Sequence, residues 1–107
     1  MIDVQKYRPI DNISPLRELA KDNILTIYRG TNRKEEKPQL SLSWTTKHYV
    51  AERFALHITG YDDGLKRPGF IYTASINIDD VIVYIDNTDE SEVVQYDSVY
   101  DINEEKV

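Results

Sequence analysis

The predicted fold is built around Ile24-Leu25-Thr26-Ile27-Tyr28-Arg29-Gly30. Its β-branched and aromatic residues are typical of a strand, and Gly30 is typical of the point where a strand stops. Leu25, Ile27 and Arg29 share one face, because side chains alternate along a strand. The stretch therefore predicts a partly buried strand that carries an arginine at its end.

A second short strand is predicted over residues 40–44, where Leu-Ser-Leu-Ser-Trp alternates strictly. The alternation assigns one face to Leu40, Leu42 and Trp44 and the other face to Ser41 and Ser43. Residues 31–39, between the two strands, have no apolar period and contain a charge run that ends at a proline. That composition predicts a polar surface loop whose charges are solvated.

Two helices are predicted beside these strands. Ser14-Pro15 provides an N-cap and a proline at the first helical position, followed by apolar residues three and four apart. A longer helix is predicted over residues 47–57, where apolar residues recur at helical spacing. Either Thr45 or Thr46 can cap this second helix.

The second half of the chain is rich in predicted strands. Alternating or continuous apolar residues indicate strands at residues 70–78, 81–85, 92–96 and 99–102, with turns at 79–80 and 86–89. Helices gathered early and strands gathered late favour an α+β fold. We expect one domain over residues 1–107, with mainly antiparallel sheets flanked by short helices.

Composition narrows the function further. Of 107 residues, 40% are hydrophobic and 30% charged, which is enough apolar material for a packed core. The net charge of −6 repels nucleic-acid phosphates, and without cysteine there is neither a disulfide nor a thiolate zinc site. With only two histidines, His48 and His57, we expect no metal. The sequence lacks a signal peptide or membrane span, so a cytoplasmic location is the default expectation.

Three polar segments carry the functional signal through their order. Tyr28-Arg29-Gly30 closes the first strand, Ser43-Trp44-Thr45 closes the second, and Glu90-Ser91-Glu92-Val93 opens a late strand. Together they resemble the arginine-serine-glutamate branch of the mono-ADP-ribosyltransferase family. Trp44 departs from that pattern, since threonine is usual there. The resemblance implies a small ADP-ribosyltransferase-like fold. It also implies that the protein cleaves NAD, as its substrate, without a metal.

The resemblance also implies roles for individual residues. Glu92 would stabilise the oxocarbenium-like ribose that forms as nicotinamide leaves, and Ser43 would hold the Glu92 carboxylate or the ribose. Arg29 would pair with the NAD pyrophosphate. Glu90, the third catalytic candidate, matches a position associated with arginine acceptors, so the favoured acceptor is an arginine of a protein, such as a host protein that this chain would modify as an effector. The alternative for each residue is an ordinary surface or strand role.

The predicted NAD-binding residues are those in or beside the three segments: Arg29, Gly30, Ser43, Trp44, Thr45 and Phe54. Capping is the favoured role of Thr45, and a core position is the favoured role of Phe54. Trp44, Tyr49 and Phe54 are the candidates for stacking on a ring of NAD, although aromatic residues at such spacings are usually core. The turn at residues 86–89 lacks the aromatic residue that many family members carry before the catalytic glutamates.

Two other functions fit the same sequence. An NAD glycohydrolase would use the same residues to deliver water to the ribose. A non-enzymatic acidic inhibitor would use the negative surface to bind a basic partner. The strand-end positions of Arg29, Ser43 and Glu92 favour an enzyme over a charge mimic, which has no need of them.

Overall fold

One six-stranded sheet with two α-helices makes up the part of the chain that this computed structural model describes, residues 14–57, 69–85 and 91–107. The helices are α1 (Ser14–Leu19) and α2 (His48–His57). The strands are β1 (Ile24–Thr31), β2 (Ser43–Thr45), β3 (Phe70–Asn77), β4 (Val83–Ile85), β5 (Glu92–Val94) and β6 (Tyr100–Lys106).

The strands lie in the order β4-β5-β2-β1-β3-β6, and every pairing between them is antiparallel. β1 is central and pairs along its whole length with β3, from Ile24 opposite Asn77 to Thr31 opposite Phe70. The α+β class and the mainly antiparallel sheet predicted from the sequence are confirmed. β1, which contains residues 24–30, is therefore the inner strand between β2 and β3.

The two faces of the sheet are covered by different elements. On the α1 face, Leu16 of α1 packs with Leu25, Ile27 and other fully buried side chains in the largest core cluster. On the α2 face, Ala51 and Ala55 of α2 pack with Ile71 in a second cluster. The alternation of β1 therefore divides its side chains between two cores.

Gly30 allows α2 to approach β1 closely. A Cβ atom at this position would lie 1.7 Å from the carbonyl oxygen of Ala51, well inside the van der Waals contact distance. A glycine within a strand commonly marks such an approach of another backbone segment. Gly30 therefore sets how deeply α2 packs on the sheet.

The predicted strand at residues 40–44 is wrong in its first half. Pro38–Leu40 is a 3-10 turn, β2 begins only at Ser43, and Leu40 and Leu42 are 40% and 43% exposed. The Gln95 main-chain N–H still donates to the Leu42 carbonyl at 2.9 Å, but a side chain binds the carbonyls before it. The fully buried Gln95 donates from Nε2 to the carbonyls of Gln39 and Ser41 at 3.0 and 2.5 Å.

Other predicted bounds shift by a few residues. The strand at 81–85 is reduced to β4, and Ile82 before it is 50% exposed. The strand at 92–96 ends at Val94, and that at 99–102 becomes β6, which runs on to Lys106. β3 stops at Asn77 because its side chain accepts a hydrogen bond from the Asp79 N–H at 2.9 Å, which begins a 3-10 turn. The predicted turn at 86–89 lies outside the described residues.

The contact of Gly30 with α2 yields a stability prediction. We expect Gly30→Ala to lower the free energy of unfolding by at least about 2 kcal/mol, because the new methyl group meets backbone that cannot rotate away. Urea denaturation measures this. Thr26→Val, at an exposed position of the same strand, should change the value by less than about 0.5 kcal/mol. Equal stability of the two variants would contradict the close approach.

Candidate active site

A cavity of about 350 Å³ opens where β1, β2 and β5 meet the start of α2. Its volume lies within the range of small-molecule pockets. Arg29, Ser43 and Glu92 all line this cavity, as do Gly30, Trp44, Thr45 and Phe54. Tyr49, the other stacking candidate, is exposed and does not line it. The remaining lining residues are Tyr28, Thr31, Asn32, Arg33, Glu35 and Val50.

Ser43 and Glu92 form a direct pair in this cavity. The Ser43 hydroxyl donates a hydrogen bond to Oε2 of Glu92. The register explains the contact, because Thr45 lies opposite Glu92 and Ser43 opposite Val94, so that all four side chains share a face. Ser43 and Glu92 are thus diagonal neighbours, within reach of a side-chain hydrogen bond.

Ser91 fixes the entry to β5. Its φ of 47° lies in the left-handed region, which a residue other than glycine seldom adopts, and its side chain is fully buried. Its carbonyl accepts a hydrogen bond from the Thr46 N–H at 3.3 Å. This bond ties the start of β5 to the segment before α2, so the backbone on both sides of the Ser43–Glu92 pair is held.

Arg29 reaches the cavity from the other side of the sheet. Tyr28 lies opposite Thr45 and so shares the face of Ser43 and Glu92, which assigns Arg29 to the α1 face. From there, its Nη1 donates to the Ser43 carbonyl oxygen at 3.1 Å. The cavity therefore extends around the end of the sheet. The Ser43–Glu92 pair lies on one face, and the Arg29 guanidinium lies on the other.

Glu35 is the main partner of Arg29. Its carboxylate accepts from Nε at 2.8 Å and from Nη2 at 3.0 Å, a bidentate ion pair in which each side chain is only about a quarter exposed. Ser41 adds a long hydrogen bond to the same carboxylate, at 3.4 Å. Such fork-like pairs are strong and directional. The Arg29 guanidinium is therefore fixed in one orientation.

Tyr72 anchors the backbone of Glu35. Its hydroxyl accepts from the Glu35 N–H at 2.7 Å and donates to the Glu104 carboxylate at 2.9 Å. Burial raises the pKa of the Tyr72 phenol above its ordinary value of 10.0, so the group remains a neutral donor. Glu104 lies opposite Tyr72 on β6, and Tyr72 lies opposite Arg29 on β1. One row of side chains across the sheet thus supports the loop.

The role of Glu35 and its support by Tyr72 were not predicted from the sequence. The charge run before Pro38 was expected to be solvated, yet Arg33 and Glu35 line the cavity and Glu35 is half-buried. Charged loop residues have no periodic pattern from which burial can be inferred. The one usable signal is chemical, because a partly buried Arg29 requires a carboxylate partner.

The remaining predicted residues have mixed surroundings. Trp44 is 2% exposed in the α1-face core and donates from Nε1 to the Ser41 carbonyl at 2.9 Å, so its side chain packs as core rather than as an open stacking platform. Thr45 accepts from the Lys47 N–H at 3.1 Å, just before α2. Phe54 is half-buried in the cavity wall. Glu90 lies outside the described residues.

No known protein family, curated protein or solved structure matches this chain. Among the described residues there is no group of three or more His, Cys, Asp or Glu arranged to hold a metal. Neither helix in the described ranges is long and apolar enough to cross a membrane.

The arrangement combines three chemical capabilities in one place. Glu92 presents a carboxylate that Ser43 fixes through a hydrogen bond. Arg29 and Arg33 present donors suited to phosphate or carboxylate groups. Tyr28, Val50 and Phe54 provide an apolar and aromatic wall. Such a cavity can hold an anionic ligand that has a ring system at one end and undergoes charge development next to a carboxylate.

The hydrogen bond from Glu35 to Tyr72 yields a second prediction. We expect Tyr72→Phe to accelerate hydrogen exchange of the Glu35 amide about tenfold, since losing this acceptor costs ~1.4 kcal/mol. NMR-detected exchange measures it. Tyr49→Phe, on a tyrosine that is 56% exposed, serves as the control and should leave the rate unchanged. An unchanged rate in Tyr72→Phe would show that another contact holds the loop.

Proposed function

We propose that this protein is an NAD-dependent mono-ADP-ribosyltransferase with a small ADP-ribosyltransferase-like fold. One observation carries the proposal: the Ser43 hydroxyl holds the Glu92 carboxylate inside a cavity that Arg29 also lines. These are the three residues that, in sequence order, resemble the family's arginine-serine-glutamate pattern. They are separated by 14 and 49 positions in the chain. Their convergence supports a shared task.

Glu92 suits the electrostatics of NAD cleavage. As nicotinamide leaves, positive charge develops on the ribose, and a carboxylate held beforehand at that point stabilises the transition state without reorganising. Ser43 donates to Oε2, which leaves Oε1 of Glu92 able to accept from a ribose hydroxyl. Ser43 therefore acts as a positioning residue in this proposal, and Glu92 as the catalytic one.

The rest of the cavity suits the rest of NAD. The aromatic wall of Tyr28 and Phe54 lies on the same side of the cavity as α2 and offers surface for a flat ring. Arg29 still has two N–H bonds beyond the three that it uses, because a guanidinium carries five donors. These two bonds can be donated to the pyrophosphate.

The acceptor is proposed from the resemblance. Glu90, outside the described residues, matches the position that the family associates with arginine acceptors. A second carboxylate two residues before Glu92 can pair with a guanidinium and assist its deprotonation. We therefore propose transfer of ADP-ribose to an arginine of a protein. Product analysis separates the outcomes: labelled ADP-ribose retained on a protein indicates transfer, and free ADP-ribose alone indicates an NAD glycohydrolase.

The catalytic role of Glu92 is tested by separating binding from turnover. We expect Glu92→Gln to lower the kcat of nicotinamide release at least about 100-fold, while the Kd for NAD changes less than about threefold, because charge stabilisation acts mainly in the transition state. Chromatographic quantification of nicotinamide gives kcat, and calorimetry gives Kd.

Glu105→Gln is the matched control for that variant, since it removes the same charge from an exposed position on β6. It should turn over NAD like the wild type. Wild-type turnover in Glu92→Gln would refute the catalytic assignment. A wild-type protein that neither binds nor cleaves NAD would instead favour the non-enzymatic acidic binding protein.

A further inference from the structure

The charges that line the cavity are balanced. Among the described residues, its charged members are two cations, Arg29 and Arg33, and two carboxylates, Glu35 and Glu92. Their formal charges sum to zero, whereas the whole chain carries −6. A diphosphate ligand brings about two further negative charges. The binding of such a ligand therefore depends on which arginine has a positive charge that is not already paired.

Arg29 brings little net charge to the cavity. Glu35 binds it through both Nε and Nη2, and this bidentate pair neutralises the guanidinium. Releasing Glu35 would break the bidentate pair and remove its carboxylate from Ser41. It would also leave Arg29, only about a quarter exposed, without its carboxylate partner. Arg29 therefore offers hydrogen bonds to a ligand but not an unpaired charge.

Arg33 is in the opposite situation. It is exposed, it lines the same cavity, and its guanidinium has no hydrogen bond or ion pair with any described residue. Its backbone, however, is held: the Thr31 hydroxyl donates to the Arg33 carbonyl at 2.5 Å, and Tyr72 anchors Glu35 two residues later. Arg33 thus offers the cavity that it lines a guanidinium without a partner among the described residues, on a backbone held by these two contacts.

Lys34, the next residue, has a different partner. Its Nζ lies 3.5 Å from the Glu104 carboxylate on β6, and it is absent from the cavity lining. The two neighbouring cations of this loop, Arg33 and Lys34, therefore have different surroundings. One is paired at the edge of the sheet, and the other is left for a ligand.

We infer that Arg33 is the principal charge-bearing ligand for the diphosphate group of the dinucleotide, with Arg29 held by Glu35 as a hydrogen-bonding and positioning residue. This inference rests on the proposed function, since it assigns the phosphate-binding part of the same site. A guanidinium suits the role because it can bind phosphate oxygens through two parallel hydrogen bonds. Charge-assisted hydrogen bonds of this kind are stronger than those between neutral groups.

The test compares Arg33→Gln with Lys34→Gln. Both remove one positive charge from adjacent exposed positions, but only the first removes it from the cavity. The probes are ADP-ribose and inorganic pyrophosphate, with free nicotinamide as a ligand that lacks phosphate. We expect Arg33→Gln to weaken ADP-ribose and pyrophosphate binding by at least about tenfold. Lys34→Gln should stay within about twofold of the wild type, and nicotinamide binding should not distinguish the variants.

The outcomes separate this inference from the proposed function. If ADP-ribose binds the wild type and Arg33→Gln equally well, the Arg33 assignment is overturned while NAD cleavage stands. If Arg33 is required for pyrophosphate binding but the wild type releases no nicotinamide, the anion site stands and the transferase proposal fails. A wild type that binds neither probe at millimolar concentration overturns both. Thermal unfolding of each variant verifies that the fold is intact.

Discussion

The register of β2 between β1 and β5 is the constraint on which the site depends. Thr45 lies opposite both Tyr28 and Glu92, and this double pairing brings Ser43 diagonally next to Glu92. A slip of one residue would exchange the faces of β2, moving Trp44 out of the core and Ser43 away from the carboxylate. Burial of Trp44 at 2% exposure therefore stabilises the register that aligns the polar pair. Core packing and site geometry follow from one alignment.

The second determinant is the row of side chains that crosses the sheet from β6 to β1. Glu104, Tyr72 and Arg29 are successive partners in the strand pairing, and the loop after β1 closes over them through Glu35. The Arg29 guanidinium then contacts the backbone of Ser43. Each contact is local, but together they link the edge strand β6 to the Ser43–Glu92 pair. The described part of the cavity is therefore held by hydrogen bonds on both faces of one sheet end.

Much of the fold could be predicted because its determinants are periodic. The alternation at β1 and β3 and the apolar stripe of α2 indicate their own structures, and the order of the three polar segments was enough to nominate Arg29, Ser43 and Glu92. The first half of the strand predicted at residues 40–44 failed because a buried Gln95, more than fifty positions away, binds that backbone. Glu35 could not be predicted as a cavity residue, since its position depends on Tyr72, a contact that no local pattern encodes.

In the proposed function, the nicotinamide ribose of NAD binds against Glu92 in this cavity. The most direct measurement is a crystal structure of Glu92→Gln with NAD bound. We expect a hydroxyl of the nicotinamide ribose within hydrogen-bond distance of the residue 92 side chain, about 3 Å, with the pyrophosphate at the end of the cavity where Arg29 and Arg33 lie. NAD bound elsewhere on the protein, or bound here with its adenine end against residue 92, would refute the catalytic role of Glu92.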